Sequence, residues 1–265
     1  MEKILTLTPE DSESNKPTKT LDQELNKLKS FDAGFNFYFE TLEYESLHDV
    51  IKLISAGINS FMVLGDLTEY GEALEDSGAV GKRRKKKGDP TIKDRDGNQI
   101  VLDLDDHILP GFDPKKPEAG IKHWLTEKKI NCDVTWQITS GQKLNTEEAR
   151  IRLYFEATKA LPLLERKAWS QSPDIGADGS VYTCSQPIYT ASPIIEGGSD
   201  PIKKRWGFIK GKSRKIKLPT ITPEEIKKNS GYVRAGVEWD FDDFELPSQR
   251  IAKALRRAEG PSTGT

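Results

Sequence analysis

Hydrophobic and polar positions along the chain fall into a few readable periods. Over residues 150–156, Ile151, Leu153 and Phe155 share one side, while Arg150, Arg152, Tyr154 and Glu156 share the other. That alternation predicts a half-buried strand. Residues 132–139 alternate too, and the two strands predict a hairpin whose loop, roughly 8–10 residues, exceeds the usual two to five. Shorter strands are predicted over 35–39, 61–64, 206–209 and 216–218. Apolar residues at helical spacing predict helices over 21–29, 47–56, 120–129 and 161–169. Ser46 is placed to cap the second of these, and Gly57 to end it. Thr222 with Glu225 reads as a capping box, and residues 249–257 as a basic amphipathic helix.

Residues 99–107 have a different pattern. Ile100, Val101 and Leu102 form an apolar run, as in a strand buried on both faces. The run ends in Asp103, Asp105 and Asp106. Alternation puts Asp103 and Asp105 on one side and sends Asp106 to the other unless the strand has ended. Two carboxylates on one face repel each other and are costly to desolvate. A divalent cation relieves both, and oxygen-only ligands suit Mg2+ or Mn2+. A strand running out into an acidic turn is the competing reading, and His107 is a possible further ligand.

Composition frames this pattern. The chain has 265 residues, 35% hydrophobic and 31% charged, enough to bury a sizeable core. No apolar run is long enough to cross a bilayer, and the polar N-terminus lacks the core of a signal peptide. A cytoplasmic protein without a membrane partner is expected. Cys132 and Cys184 are far apart in sequence and read as ordinary thiols.

Charge is uneven although the net is −2. Lys82, Arg83, Arg84, Lys85, Lys86 and Lys87 are consecutive cations, and a second basic tract runs from Lys203 to Lys217. Either suits a phosphate backbone, and either can be a solvated loop. Residues 66–98, which hold the first run, read as a long glycine-punctuated loop of the kind that is usually functional or disordered. Three parts are expected: a disordered tail over 1–19, a folded domain over 20–230, and over 231–265 an acidic segment, a short basic helix and a flexible tail.

Several stretches together resemble the catalytic domain of archaeo-eukaryotic-type primases and primase-polymerases, in the version carried by phages, plasmids and other mobile elements. They are the basic glycine-rich segment, the strand 102–105, the stretches 136–142 and 151–155, residues 178–182, and residues 186–193 with Asp200 and Arg205 following. The resemblance covers roughly residues 60–210. It implies an α/β (α+β) fold: an RRM-like core on a mixed central sheet with flanking helices. It implies nucleotidyl transfer from NTP or dNTP to a 3′ hydroxyl on a single-stranded DNA template, with a replicative helicase as a possible partner. Asp103, Asp105 and Asp178 would hold two Mg2+ or Mn2+ ions, Asp174 competing with Asp178 for the third place. Ser140, Gln142, Arg152, Tyr189 and Arg205 would hold the nucleotide, and Lys82–Lys87 the template. The chain departs from the family where histidines are usual: Arg152 takes one such slot, and Ile188 the other. Arginine binds phosphate but does not titrate near neutrality. This departure motivates an alternative, a non-catalytic replication-initiator or nucleic-acid-binding module.

Residues 101–109 also resemble the first motif of haloacid-dehalogenase-type phosphatases. Asp103 would be the nucleophile and Asp105 the general acid, with Thr139 or Ser140 and Asp240, Asp242 and Asp243 as the later motifs. Against this, the motif lies far into the chain, and residue 107 is His where Thr or Val is usual.

Overall fold

The chain opens on a strand, not a tail. In the computed structural model β1 (Glu2–Pro9) is the middle strand of a three-stranded sheet. Ile4, Leu5 and Leu7 drive this, and all three are buried; the surrounding Thr and Glu obscure their strand propensity in the sequence. The expected disorder over 1–19 is corrected to that extent. The structure describes residues 1–11, 17–22, 27–29, 36–83, 90–144 and 146–229. All belong to one unit, residues 1–230; the acidic segment, basic helix and tail expected over 231–265 lie outside the described residues.

The helix expected over 21–29 is instead two short strands. β2 (Thr20–Asp22) and β3 (Lys27–Lys29) pair antiparallel, and β2 also pairs in parallel with β11 (Ile194–Glu196). A short amphipathic segment has too little helical stability of its own to resist such pairing. β4 (Phe37–Tyr44) lies antiparallel on one side of β1. α1 (Leu47–Ala56) follows, with the Ser46 hydroxyl accepting from the Asp49 N–H as expected, and it buries Leu47, Val50, Ile51 and Ile54. β5 (Phe61–Val63) closes the other side of β1.

Residues 66–98 are not a bare loop. β6 (Asp66–Leu67) and β7 (Ile92–Lys93) pair antiparallel around α2 (Glu69–Ser77). Thr68 caps α2, and Gly78, with φ 64°, ends it in the left-handed conformation that glycine adopts without strain.

The largest sheet carries the acids. β8 (Gly97–Ile108) precedes α3 (Glu118–Glu127), β9 (Val134–Ile138) and β10 (Glu148–Leu161). α4 (Leu163–Ser170), β11, β12 (Trp206–Ile209) and α5 (Pro223–Asn229) complete the described unit. Strand order is β12-β9-β10-β8, and every pair is antiparallel. The expected mixed sheet is corrected for these four strands; among the described residues parallel pairing occurs between β2 and β11 and in isolated bridges such as Ala157 of β10 with Ile216. The long β9–β10 hairpin forms as expected, and Thr222 and Glu225 make the capping box of α5.

One face of this sheet, with Leu102, Leu104, Trp136, Leu153 and Phe155, packs on Ile121, Trp124 and Leu125 of α3. On the other face Val101 and Tyr154 meet Val50, Ile51 and Ile54 of α1, together with Met62, Tyr182 and Ile188. Farther along β8 that second face is polar. The architecture is thus mixed α/β, with five α-helices and several small sheets among the described residues. No helix among these residues is long and apolar enough to cross a membrane.

Candidate active site

A single rung crosses the large sheet and continues past its edge. Asp103 of β8 stands opposite Arg152 of β10. Arg152 stands opposite Gln137 of β9, and Gln137 opposite Trp206 of β12. On its outer side β8 forms one more antiparallel bridge, between Asp103 and Asp178. Opposed residues in antiparallel strands project to the same face, their Cβ atoms about 5 Å apart. Asp178, Asp103, Arg152, Gln137 and Trp206 therefore lie in one row. Asp105, two residues on from Asp103, shares the face.

The strand does not end at the acids. Between Leu104 and His107, β8 has one residue more than β10 has between Ala149 and Ile151. This β-bulge holds Asp106 at φ 57°, a conformation Asp tolerates better than most residues. It re-aims the carboxylate, which takes two bonds from Arg150, at 2.8 Å from Nε and 2.5 Å from Nη2. Asp106 thus meets an arginine that alternates with Arg152 on one side of β10, and the expected opposite orientation is corrected. His107 contacts the Asp105 carbonyl at 3.3 Å through Nδ1.

Residues 186–190 run across this face. The Tyr189 carbonyl accepts from Arg152 Nη1 at 3.0 Å, and Gln137 Nε2 donates to the Thr190 carbonyl at 3.0 Å. The Tyr154 hydroxyl donates to Gln137 Oε1 at 2.8 Å, and the Tyr154 ring stacks on Trp206 with centroids 5.7 Å apart. Ile188, in a slot where the resembled family carries histidine, is fully buried and exchanges two backbone hydrogen bonds with Met62. Its apolar side chain is part of the core.

Burial and pairing set Asp103 apart. The residue is 7% exposed, and Oδ2 accepts from Arg152 Nη2 at 2.7 Å. Oδ1 is buried and has no hydrogen-bond partner among the described residues, and a buried acceptor left unpaired is unfavourable. Burial works against the charge of Arg152, but Asp103 and Tyr154 outweigh it and raise its pKa. Asp105 is exposed as a residue, yet partial withdrawal of its carboxyl from water and the nearby Asp103 raise its pKa. Asp106 is lowered by its bonds from Arg150.

Asp178 reaches the rung through its backbone, donating its N–H to the Asp103 carbonyl at 2.9 Å. Its carboxylate is turned onto Ser180, accepting from the N–H at 2.8 Å and the hydroxyl at 2.7 Å. There it caps a short 3₁₀ turn, Gly179–Tyr182. Lys167 of α4 feels the Asp178 charge, although burial lowers its pKa. Asp174 lies elsewhere, 3.4 Å from Lys128.

The other expected nucleotide ligands divide. Ser140 is half-buried at the start of the hairpin turn. Gln142 is committed to that turn: its amide donates to the Lys143 and Glu148 carbonyls and accepts from the Arg150 N–H. Arg205 is buried, clasps Asp200 with Nε and Nη2, and donates to the Thr139 carbonyl. Its donors facing these groups are structural. Tyr189 packs edge-on against Phe61 at 5.7 Å, at the margin of the core. Of the basic run, Lys82 is exposed, while Arg83 donates to the Ser185 carbonyl and lies 6.0 Å from the Phe37 ring centroid. Arg84 to Lys87 lie outside the described residues.

Sequence reasoning missed Arg150 and Gln137. Both sit on the polar sides of their strands, a signal that was available, but only the register reveals their partners. Thr139, offered for the phosphatase resemblance, is tied to the Arg150 carbonyl through both N and Oγ1. Asp240, Asp242 and Asp243 lie outside the described residues.

Among the described residues no three His, Cys, Asp or Glu side chains converge to hold a metal ion. The donor set still fits a hard cation in part, because Asp103 Oδ1 is buried without a partner among the described residues and Asp105 stands on the same face. Asp178 is the residue whose carboxylate points away from such a position. No family model, no curated protein and no solved structure matches this chain.

Proposed function

We propose that the chain is a nucleotidyltransferase of the primase-polymerase kind, transferring a nucleotide from NTP or dNTP to a 3′ hydroxyl on a single-stranded DNA template. One observation carries the reading: the Asp178–Asp103–Arg152 row, with Asp105 on the same face, combines carboxylates for a divalent cation with a guanidinium for phosphate. Asp103 and Asp105 would hold Mg2+ or Mn2+, and Asp178 would join them on leaving Ser180. The bound cation supplies charge neutralisation for a phosphoryl transfer in which the protein does little covalent chemistry.

The chain's own residues position the reactants. Arg152, oriented by the Tyr189 carbonyl, holds the triphosphate. Gln137 and Tyr154 fix the 186–190 segment and so fix that carbonyl. Lys82 and the cations after it carry the template backbone. An RRM-like primase core, a mobile-element origin, a host-cytoplasm location and a helicase partner belong to the same proposal.

A second reading has its own support. Asp103 is already paired with Arg152 and Asp178 with Ser180, which favours a non-catalytic single-strand-binding module. Labelled-nucleotide incorporation by the purified chain on primed and unprimed single-stranded DNA, with Mn2+ and with Mg2+, separates the two. Incorporation that is lost in Asp103→Asn supports the transferase. DNA binding with no incorporation under any combination supports the binding module.

A further inference from the structure

Two further arginines of this unit also pair with aspartates, and the three pairs differ in completeness. Arg150 grips Asp106 with two bonds, one to each carboxylate oxygen. Arg205 grips Asp200 in the same way. Two parallel bonds from a planar guanidinium lock orientation as well as charge. Arg152 and Asp103 share only one, from Nη2 to Oδ2. Among the described residues neither Asp103 Oδ1 nor Arg152 Nε, both buried, has a hydrogen-bond partner. Arg152 has a second anchor that does not involve the acid, from Nη1 to the Tyr189 carbonyl at 3.0 Å.

We propose that Arg152 is a placeholder cation: it neutralises Asp103 until a divalent cation binds there, then releases the carboxylate and, still tethered to Tyr189, turns its freed Nη2 toward an anionic ligand. This rests on reading Asp103 and Asp105 as divalent-cation ligands, and it adds the regulation of that site. Physically, a buried carboxylate without a cation is strongly unfavourable, so the metal-free protein needs a substitute. A substitute held by one bond is exchanged more readily than one held by two. Cation binding would therefore uncover an anion site, and the coupling must run both ways: the anion would tighten the cation by the same factor.

The test is Mn2+ binding to the full chain, read by electron paramagnetic resonance without nucleotide. Arg152→Gln should bind Mn2+ at least tenfold more tightly than wild type, as expected when a charge-assisted hydrogen bond no longer has to be broken. Arg150→Gln removes an equal charge that pairs with Asp106 and acts on Asp105 only through space, so it should give a clearly smaller gain than Arg152→Gln. Equal or weaker binding by Arg152→Gln, or an equal gain in Arg150→Gln, overturns the proposal. If Arg152→Gln does not fold, wild type decides: the Arg152 Nε–Hε nuclear magnetic resonance signal, assigned with Arg152→Lys, should shift on saturation with Mg2+ while that of Arg150 stays. A stationary Arg152 signal overturns it. Incorporation is scored separately. A protein that shows the exchange but adds no nucleotide retains the placeholder and loses the transferase. One that adds nucleotides with no gain in Arg152→Gln does the reverse.

Discussion

Asp178 lies opposite Asp103 across an isolated antiparallel bridge, so two acids 75 positions apart in sequence start from neighbouring points on one face. The backbone delivers them, and the side chains then differ. Asp103 is buried against Arg152, whereas Asp178 turns outward to cap the turn at Ser180. Asp178 thus has a structural task, separable from the chemical one proposed for it.

Asp178→Asn should separate the two. Asn caps a turn nearly as well as Asp, while Ala forfeits about 1 kcal/mol. Asn is therefore expected to leave the thermal midpoint nearly unchanged and to reduce nucleotide incorporation at least 100-fold. Asp178→Ala should lose both stability and incorporation. Asp174→Asn, altering a carboxylate paired with Lys128 away from the row, should lose neither.

Arg205→Ala should behave as a stability mutant. It removes a buried guanidinium from Asp200 and from the Thr139 carbonyl, leaving the partners unsatisfied. A loss of about 3 kcal/mol is expected by urea denaturation. Nucleotide affinity of the folded fraction should stay within about twofold.

The basic run should divide at Arg83. That residue donates to the Ser185 carbonyl and neighbours the Phe37 ring, so Arg83→Ala is expected to lower stability. Neutralising Lys82 and Arg84–Lys87 together should instead weaken single-stranded DNA binding. Log affinity falls with log salt at about 0.7 per neutralised phosphate, so four contacts correspond to a slope reduced by roughly three. Fluorescence anisotropy across a salt series measures it, and an unchanged slope would leave the run a solvated loop.

The two thiols should react unequally. Burial, with Asp133 adding to it, pushes the Cys132 thiol up to about 12. Only the thiolate is nucleophilic, so its reactive fraction at pH 8 is very small. Cys184 is half-buried. Iodoacetamide at pH 8, followed by peptide mass spectrometry, should label Cys184 first and Cys132 only after unfolding.

Much of this arrangement was legible in residue patterns. The alternation of Arg150 to Glu156 gave β10 its polar side, and the spacing of Asp103 and Asp105 gave their common face. What resisted reading depended on partners distant in sequence. β1 was obscured because Ile4, Leu5 and Leu7 sit among polar residues that match a tail in composition. The positive φ of Asp106 leaves no mark in the sequence, since it arises from a register difference between β8 and β10. Gln142 and Arg205 have the right chemistry for a phosphate, yet each meets a nearer group of its own chain. Residue type states what a side chain can bind, and only the fold states what it does bind.

The most direct test of the central claim is a crystal grown with Mn2+ and a non-hydrolysable nucleotide, measured for anomalous scattering. An anomalous peak about 2.2 Å from carboxylate oxygens of both Asp103 and Asp105 is expected, a normal bond length for a hard cation on oxygen. Arg152 should have left Asp103 and should contact the nucleotide phosphates. A nucleotide bound elsewhere, with no peak at the row and Asp103 still paired with Arg152, would contradict it.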